Sequence, residues 1–127
     1  MALILDTNAL SALAEGDLHL RKAIENEDDL ALPAVVLGEF LYGIRQSRKR
    51  SQYESWLDVF RDRYPVLSIG PETAAAYADI RAELRAAGRP MPSNDLWVAA
   101  LGREHRFGIV TRDRHFKAVS GITLVPW

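Results

Sequence analysis

Residues 1–10 read MALILDTNAL. Residues 2–5 form an uninterrupted apolar run that stops at Asp6, and apolar residues resume at Ala9 and Leu10. Such a run is the pattern of a short strand covered on both faces, as in a parallel sheet. Asp6 then stands at the C-terminal end of a buried strand. Two roles fit it there. Asp is a leading N-cap residue for a helix that follows. That same edge of an open α/β sheet is also where ligands bind. These ten residues do not choose between the two.

Working outward, the alternation repeats. Residues 9–15 predict a helix broken by Gly16, and residues 17–25 a second with Asp17 as its N-cap. Residues 30–32 predict a strand, and Pro33 or Ala34 opens a helix reaching about Gln46. Residues 48–64 carry Tyr53, Trp56, Leu57 and Phe60 at helical spacing. Residues 66–69 read as a strand, and Pro71 opens a helix for which Gly88 is the C′ stop. After the loop RPMPSN come a helix from Asn94 to about Arg106, a strand over 108–111 and a last strand over 122–125. Strands alternating with helices predict an α/β fold of three layers, with a mainly parallel central sheet between helices. No repeat, linker or low-complexity tract interrupts the pattern, so residues 1–127 are expected to be one domain.

Composition narrows the chemistry. The chain has 16 basic and 17 acidic residues, a net charge of −1, so no global basic field draws it to nucleic acid or membrane. Any nucleic-acid site must be a local patch. The absence of cysteine excludes disulfides and thiolate metal sites. His19, His105 and His115 are scattered and make a poor zinc set. No apolar run approaches the ~20 residues of a membrane span, and no basic segment precedes the first strand, so a cytoplasmic protein is expected.

Most acids belong to polar faces or loops, among them Glu25, Glu27, Asp28, Asp29, Glu54, Asp58 and Glu83. Four do not. Asp6 ends the first strand. Glu39, in VVLGEFLYG, borders the stripe formed by Val36, Leu37, Phe40, Leu41 and Ile44. Asp95, in NDLWVAALG, shares a helical face with Val98, Ala99 and Gly102, a small apolar face that should pack inward. A first-turn Asp is favoured by the helix dipole, but that does not explain one facing a core. Asp113 follows the strand GIVT. Singly, each has an ordinary alternative as cap, boundary or turn residue. Together, parallel strands bring Asp6 and Asp113 to one sheet edge, with Glu39 and Asp95 early in helices that start there. Four converging carboxylates repel, which raises pKa values. A hard divalent cation, Mg²⁺ or Mn²⁺, resolves the conflict. Thr7, Asn8, Ser93, Asn94 and Thr111 are placed to support such a site by hydrogen bonding.

The segments LDTNAL, GEFLYG, NDLWVAA and TRDRHF, in this order over residues 3–116, resemble the PIN-domain family, and within it the toxins of VapC type. The resemblance implies a PIN-like α/β/α fold and a metal-dependent endoribonuclease acting as the toxin of a toxin–antitoxin pair. It implies that Asp6, Glu39, Asp95 and Asp113 are the catalytic, metal-holding acids, with Thr7 and Thr111 at supporting positions. It also implies a homodimer and inhibition by a cognate antitoxin within a larger complex.

An RNA substrate needs cations near the acids. Arg112 and Arg114 flank Asp113, residues 45–50 (RQSRKR) are the densest basic run, and Arg81, Arg85 and Arg89 form an i, i+4 ridge. Trp97 is expected in packing rather than base stacking, and His105 and His115 are expected to be non-catalytic. Two other functions use the same acids. A phosphatase with an aspartyl nucleophile would want a second Asp where the chain has Asn8, and a receiver would want paired acids at the first strand. A non-catalytic RNA- or partner-binding module would need none of them.

Overall fold

The computed structural model describes residues 2–27 and 29–127; Asp28, counted above among the solvated acids, lies outside the described residues. The elements run β1 (Leu3–Leu5), α1 (Thr7–Ala14), α2 (Leu18–Ile24), β2 (Leu30–Pro33), α3 (Ala34–Ile44), α4 (Arg50–Arg63) and β3 (Val66–Leu67). They continue with α5 (Pro71–Ala86), α6 (Ser93–His105), β4 (Gly108–Val110), a 3-10 helix (Arg114–Ala118) and β5 (Thr123–Val125).

The strands form one five-stranded sheet in the order β3-β2-β1-β4-β5, and every neighbouring pair is parallel. Leu3 sits between Leu30 and Gly108, and Ile4 between Ala31 and Ile109. Every residue of β1, β2 and β4 is buried, as their unbroken apolar sequences require. Right-handed crossovers from β1 to β2 to β3 put α1 to α4 on one face, and the crossover from β3 to β4 puts α5 and α6 on the other. Most helix contacts follow that division: α1 packs on α2, α3 and α4, and α5 packs on α6, while α3 also meets α6. Among the described residues, no helix is long and apolar enough to cross a membrane.

Two packing details position the site. On α6, a Cβ at Gly102 would stand 2.7 Å from Ile109 Cδ1, so the small face of α6 lies directly on β4. Asp95 shares that face with Val98 and Ala99, both buried. On the other side of the sheet, Phe40 meets Tyr53 edge-on, and Trp56, Phe60 and Tyr64 continue an aromatic cluster that fastens α4 to α3. Trp97 stacks on Tyr77 with ring centroids 4.0 Å apart, joining α6 to α5 as expected of a packing residue.

The structure departs from the sequence pattern in three places. Helix α1 begins at Thr7 rather than Ala9, because Asp6 caps it one residue after the strand. Strand β3 spans two residues only; it lies at the edge of the sheet, and Ser68 and Ile69 beyond it are exposed. The 3-10 turn after Asp113 has no period that a sequence of five residues can display.

Candidate metal centre

The strand order reverses between β1, whose chain goes on to β2, and β4, whose chain goes on to β5. A crevice opens at the C-terminal edge of such a switch point because the two connections leave in opposite directions. Asp6 follows β1 and Asp113 follows β4 at that crevice.

Asp6 takes the cap role, and its second carboxylate oxygen is engaged across the sheet edge. Its Oδ1 accepts the Thr7 amide at 2.8 Å, capping α1. Its Oδ2 accepts the Thr111 hydroxyl at 2.7 Å and the Asn8 side-chain amide at 3.4 Å. Thr111 also accepts the Asp113 amide at 3.0 Å, and Asn8 Oδ1 accepts the Arg112 amide at 3.2 Å. Asn8 and Thr111 thus tie the start of α1 to the loop after β4 and fix the two acids relative to each other. Asn8 is a donor to Asp6 here, where the aspartyl-nucleophile alternative needs an acid.

The four acids form one electrostatic group. Burial raises the Asp6 carboxyl, against its hydrogen bonds from Thr111 and Thr7, and the charge of Asp113 raises it further. Glu39 is raised by burial and then by Asp6, while Thr7 and Asn94 favour its charged form. Asp95 is pushed up to about 6, by burial first and then by Asp113, Asp6 and Glu39. Each acid therefore stands within electrostatic reach of others, and the cations that flank Asp113 in sequence do not neutralise them. Among the described residues, no carboxylate lies within ion-pair distance of Arg112 or Arg114. Arg112 instead rests its guanidinium 4.4 Å over the Trp127 ring.

His115, expected to be non-catalytic, lies inside the group. Its Nδ1 is 2.9 Å from Asp113 Oδ1 and 3.6 Å from Asp95 Oδ2. Ligand atoms of Asp95, Asp113 and His115 all fall within 4.8 Å of one another. The signal in the sequence was its place two residues after Asp113, where a tight turn brings side chains i and i+2 together. His105 stays apart: it stacks on Phe107 at the far end of α6.

Oxygen donors that repel one another, with no lysine or arginine among the described residues paired to them, suit a hard divalent cation. The other cationic stretches lie further off. Residues 45–50 follow the C-terminal end of α3, about 9 Å along the helix from Glu39. Arg81 and Arg85 line a separate cavity of about 450 Å³ floored by Leu84, Met91 and Leu96.

Residues 3–122 match the family model of the PIN domain. The ribonuclease VapC2 of Rickettsia felis is 26% identical to this chain, with 100% of the chain and 98% of that protein covered. Among solved structures, VapBC2 from Rickettsia felis bound to a promoter DNA fragment superposes with a TM-score of 0.89 at 26% identity, covering 100% of this chain and 99% of that one. VapBC-5 from Mycobacterium tuberculosis, a member of the VapBC family of toxin–antitoxin systems, gives 0.76 at 26% identity, with 99% and 98% covered. The chain belongs to the PIN domain family.

Proposed function

We propose that this protein is a metal-dependent endoribonuclease, the toxin of a toxin–antitoxin pair. The observation that carries the proposal is the convergence of Asp6, Glu39, Asp95 and Asp113 at the β1/β4 switch point, in a chain similar over its full length to a ribonuclease. Asp6, Glu39, Asp95 and Asp113 are the residues assigned to hold Mg²⁺ or Mn²⁺. A divalent cation there supplies an activated water at neutral pH and stabilises charge on the phosphodiester oxygens. Thr111 and Asn8 hold Asp6 in one orientation, and Thr7 and Asn94 support Glu39. Asp113 is fixed by its own amide, donated to Thr111.

Arg112 and Arg114, exposed on either side of Asp113, are assigned to RNA phosphates, contacts that give affinity without sequence preference. The partner is a cognate antitoxin protein; similarity to a member of a toxin–antitoxin family supports it. The toxin is assigned as a homodimer in the cytoplasm, a state that light scattering on the purified protein tests.

Cleavage of cellular RNA by the purified chain should require added Mg²⁺ or Mn²⁺, stop with EDTA, and be lost in Asp6→Asn. Undiminished cleavage by Asp6→Asn sinks the proposal. RNA binding that survives loss of all four acids and of metal, without cleavage, favours a binding module instead.

A further inference from the structure

We propose that His115 is a direct nitrogen ligand of the cation, making the centre a mixed oxygen–nitrogen site that prefers Mn²⁺ to Mg²⁺. This deepens the metal-dependent function above and rests on it. The spacing of donor atoms is the first ground. An octahedral ion with ligands about 2.1 Å away has adjacent ligand atoms about 3 Å apart and opposite ones about 4 Å apart. His115 Nδ1 stands 2.9 Å from one carboxylate oxygen of Asp113 and 3.6 Å from one of Asp95. Those are neighbouring positions around one ion, and they belong to the two acids nearest each other.

The turn after Asp113 also places the imidazole there through its backbone. Asp113 caps the 3-10 helix by accepting the His115 amide at 2.9 Å. Phe116, the next residue, is fully buried and anchors the turn to the core. The side chain of His115 is 52% exposed, with Nδ1 toward the acids. A bound ring would then keep its far nitrogen free for water. The other histidines have no such setting. His105 lies at the opposite end of α6, roughly 15 Å along the helix from Asp95, and faces one carboxylate, Glu104. His19 is exposed on α2.

An imidazole changes the selectivity of the site. Mg²⁺ takes oxygen donors and retains water, whereas imidazole suits transition metals. A nitrogen ligand therefore strengthens Mn²⁺ binding with little gain for Mg²⁺.

The test uses the whole, tag-free protein in a nitrogen-free buffer at mildly alkaline pH, where an ordinary imidazole is neutral. Mn²⁺ is added and pulsed electron paramagnetic resonance is read for coupling to ¹⁴N. Wild type should show bound Mn²⁺ with a directly coordinated nitrogen, and His115→Gln should bind Mn²⁺ without it. Calorimetry should show Mn²⁺ affinity falling by at least about tenfold in His115→Gln, the lower end of what even an outer-shell partner contributes. Mg²⁺ affinity should move far less. Bound Mn²⁺ with no nitrogen coupling overturns the inference and leaves the acid site standing. Equal losses for both ions also overturn it, because His115 would then act only by orienting Asp113. Failure of the wild type to bind either ion overturns the metal-dependent function itself.

Discussion

Helix α6 carries a half-buried acid at each end. Asp95 sits in its first turn with a side chain 17% exposed, and Glu104 in its last turn with one 19% exposed. Burial does not distinguish them. Glu104 accepts the hydroxyl of Thr73, itself fully buried, and lies 3.5 Å from His105 Nε2. Thr73 in turn accepts the Gly70 amide at 3.1 Å, so this end of the helix is a closed set of donors and acceptors. Asp95 meets Asp113, Asp6 and Glu39 instead. A buried acid with matched partners holds the fold together. A buried acid among like charges costs stability and is retained where something else, absent from the chain, must bind.

Exchanging each end for an uncharged partner should therefore give opposite results. Asp95→Asn removes repulsion from a site that depends on it. RNA cleavage should fall by more than about 100-fold, beyond the range seen on losing outer-shell metal partners. In EDTA the same variant should melt higher than wild type. Thr73→Val should do the reverse. It leaves the Gly70 amide without a partner and takes the hydroxyl from Glu104, and should cost about 1–3 kcal/mol, read as a lower denaturant midpoint. Cleavage at a temperature where both proteins are folded should be unchanged. If Asp95→Asn is destabilised in EDTA and Thr73→Val is not, the contrast between the two ends is wrong.

Acidity separates the ends more finely. The native state holds the Asp95 proton up to about 6, and an unfolded chain releases it near the ordinary carboxylate value of roughly 4. Between these values the native state binds more protons, so unfolding free energy falls as pH rises. Metal-free protein in EDTA should thus lose this contribution as pH climbs from about 4 through about 6. Asp6 and Glu39, also raised, act in the same direction. Asp95→Asn should flatten the slope and Thr73→Val should keep it. Saturating Mn²⁺ should offset the loss, since a ligand that binds only the native state stabilises it. Thermal melts across that window, with and without metal, read all of this.

How much of this was visible in the chain depends on whether the determinant is local. The continuous apolar runs at β1, β2 and β4 gave their strands, and Gly88 ends α5 in the left-handed conformation, with φ of +67°, that a C′ residue needs. Asp95 was legible because its own helix supplies the small face around it. Asp6 was half legible: the cap is local, but its second oxygen is engaged by Thr111, 105 residues away. The pairing of Glu104 with Thr73 joins the last turn of α6 to the first of α5, and no period in either helix marks it. His115 depends on a 3-10 turn too short to show a pattern.

Two arginines repeat the contrast at lower stakes. Arg103 is closed: its guanidinium pairs with Glu83 at 3.0 Å and with the Ser120 carbonyl. Arg112 is open. It rests over Trp127, the last residue, which the β4–β5 register brings beside it, because Val110 lies opposite Val125. The ring covers one face of the guanidinium; the residue is otherwise exposed, within electrostatic reach of Asp17. A cation–π contact at an exposed site contributes about 0.5–1 kcal/mol, so its loss should be felt as a change of only about two- to fivefold. On the proposed assignment of Arg112 to an RNA phosphate, Trp127→Ala should raise KM for RNA by that factor and leave kcat and Mn²⁺ affinity as they were, because the ring positions Arg112. Arg112→Ala should raise KM at least as much and reduce the salt dependence of RNA binding, the mark of a lost phosphate contact. In the double variant the Trp127 effect should vanish, since without Arg112 the ring has nothing to position. A drop in kcat, or effects that simply add, would place Trp127 with Arg103 and Thr73 among the residues that serve the fold alone.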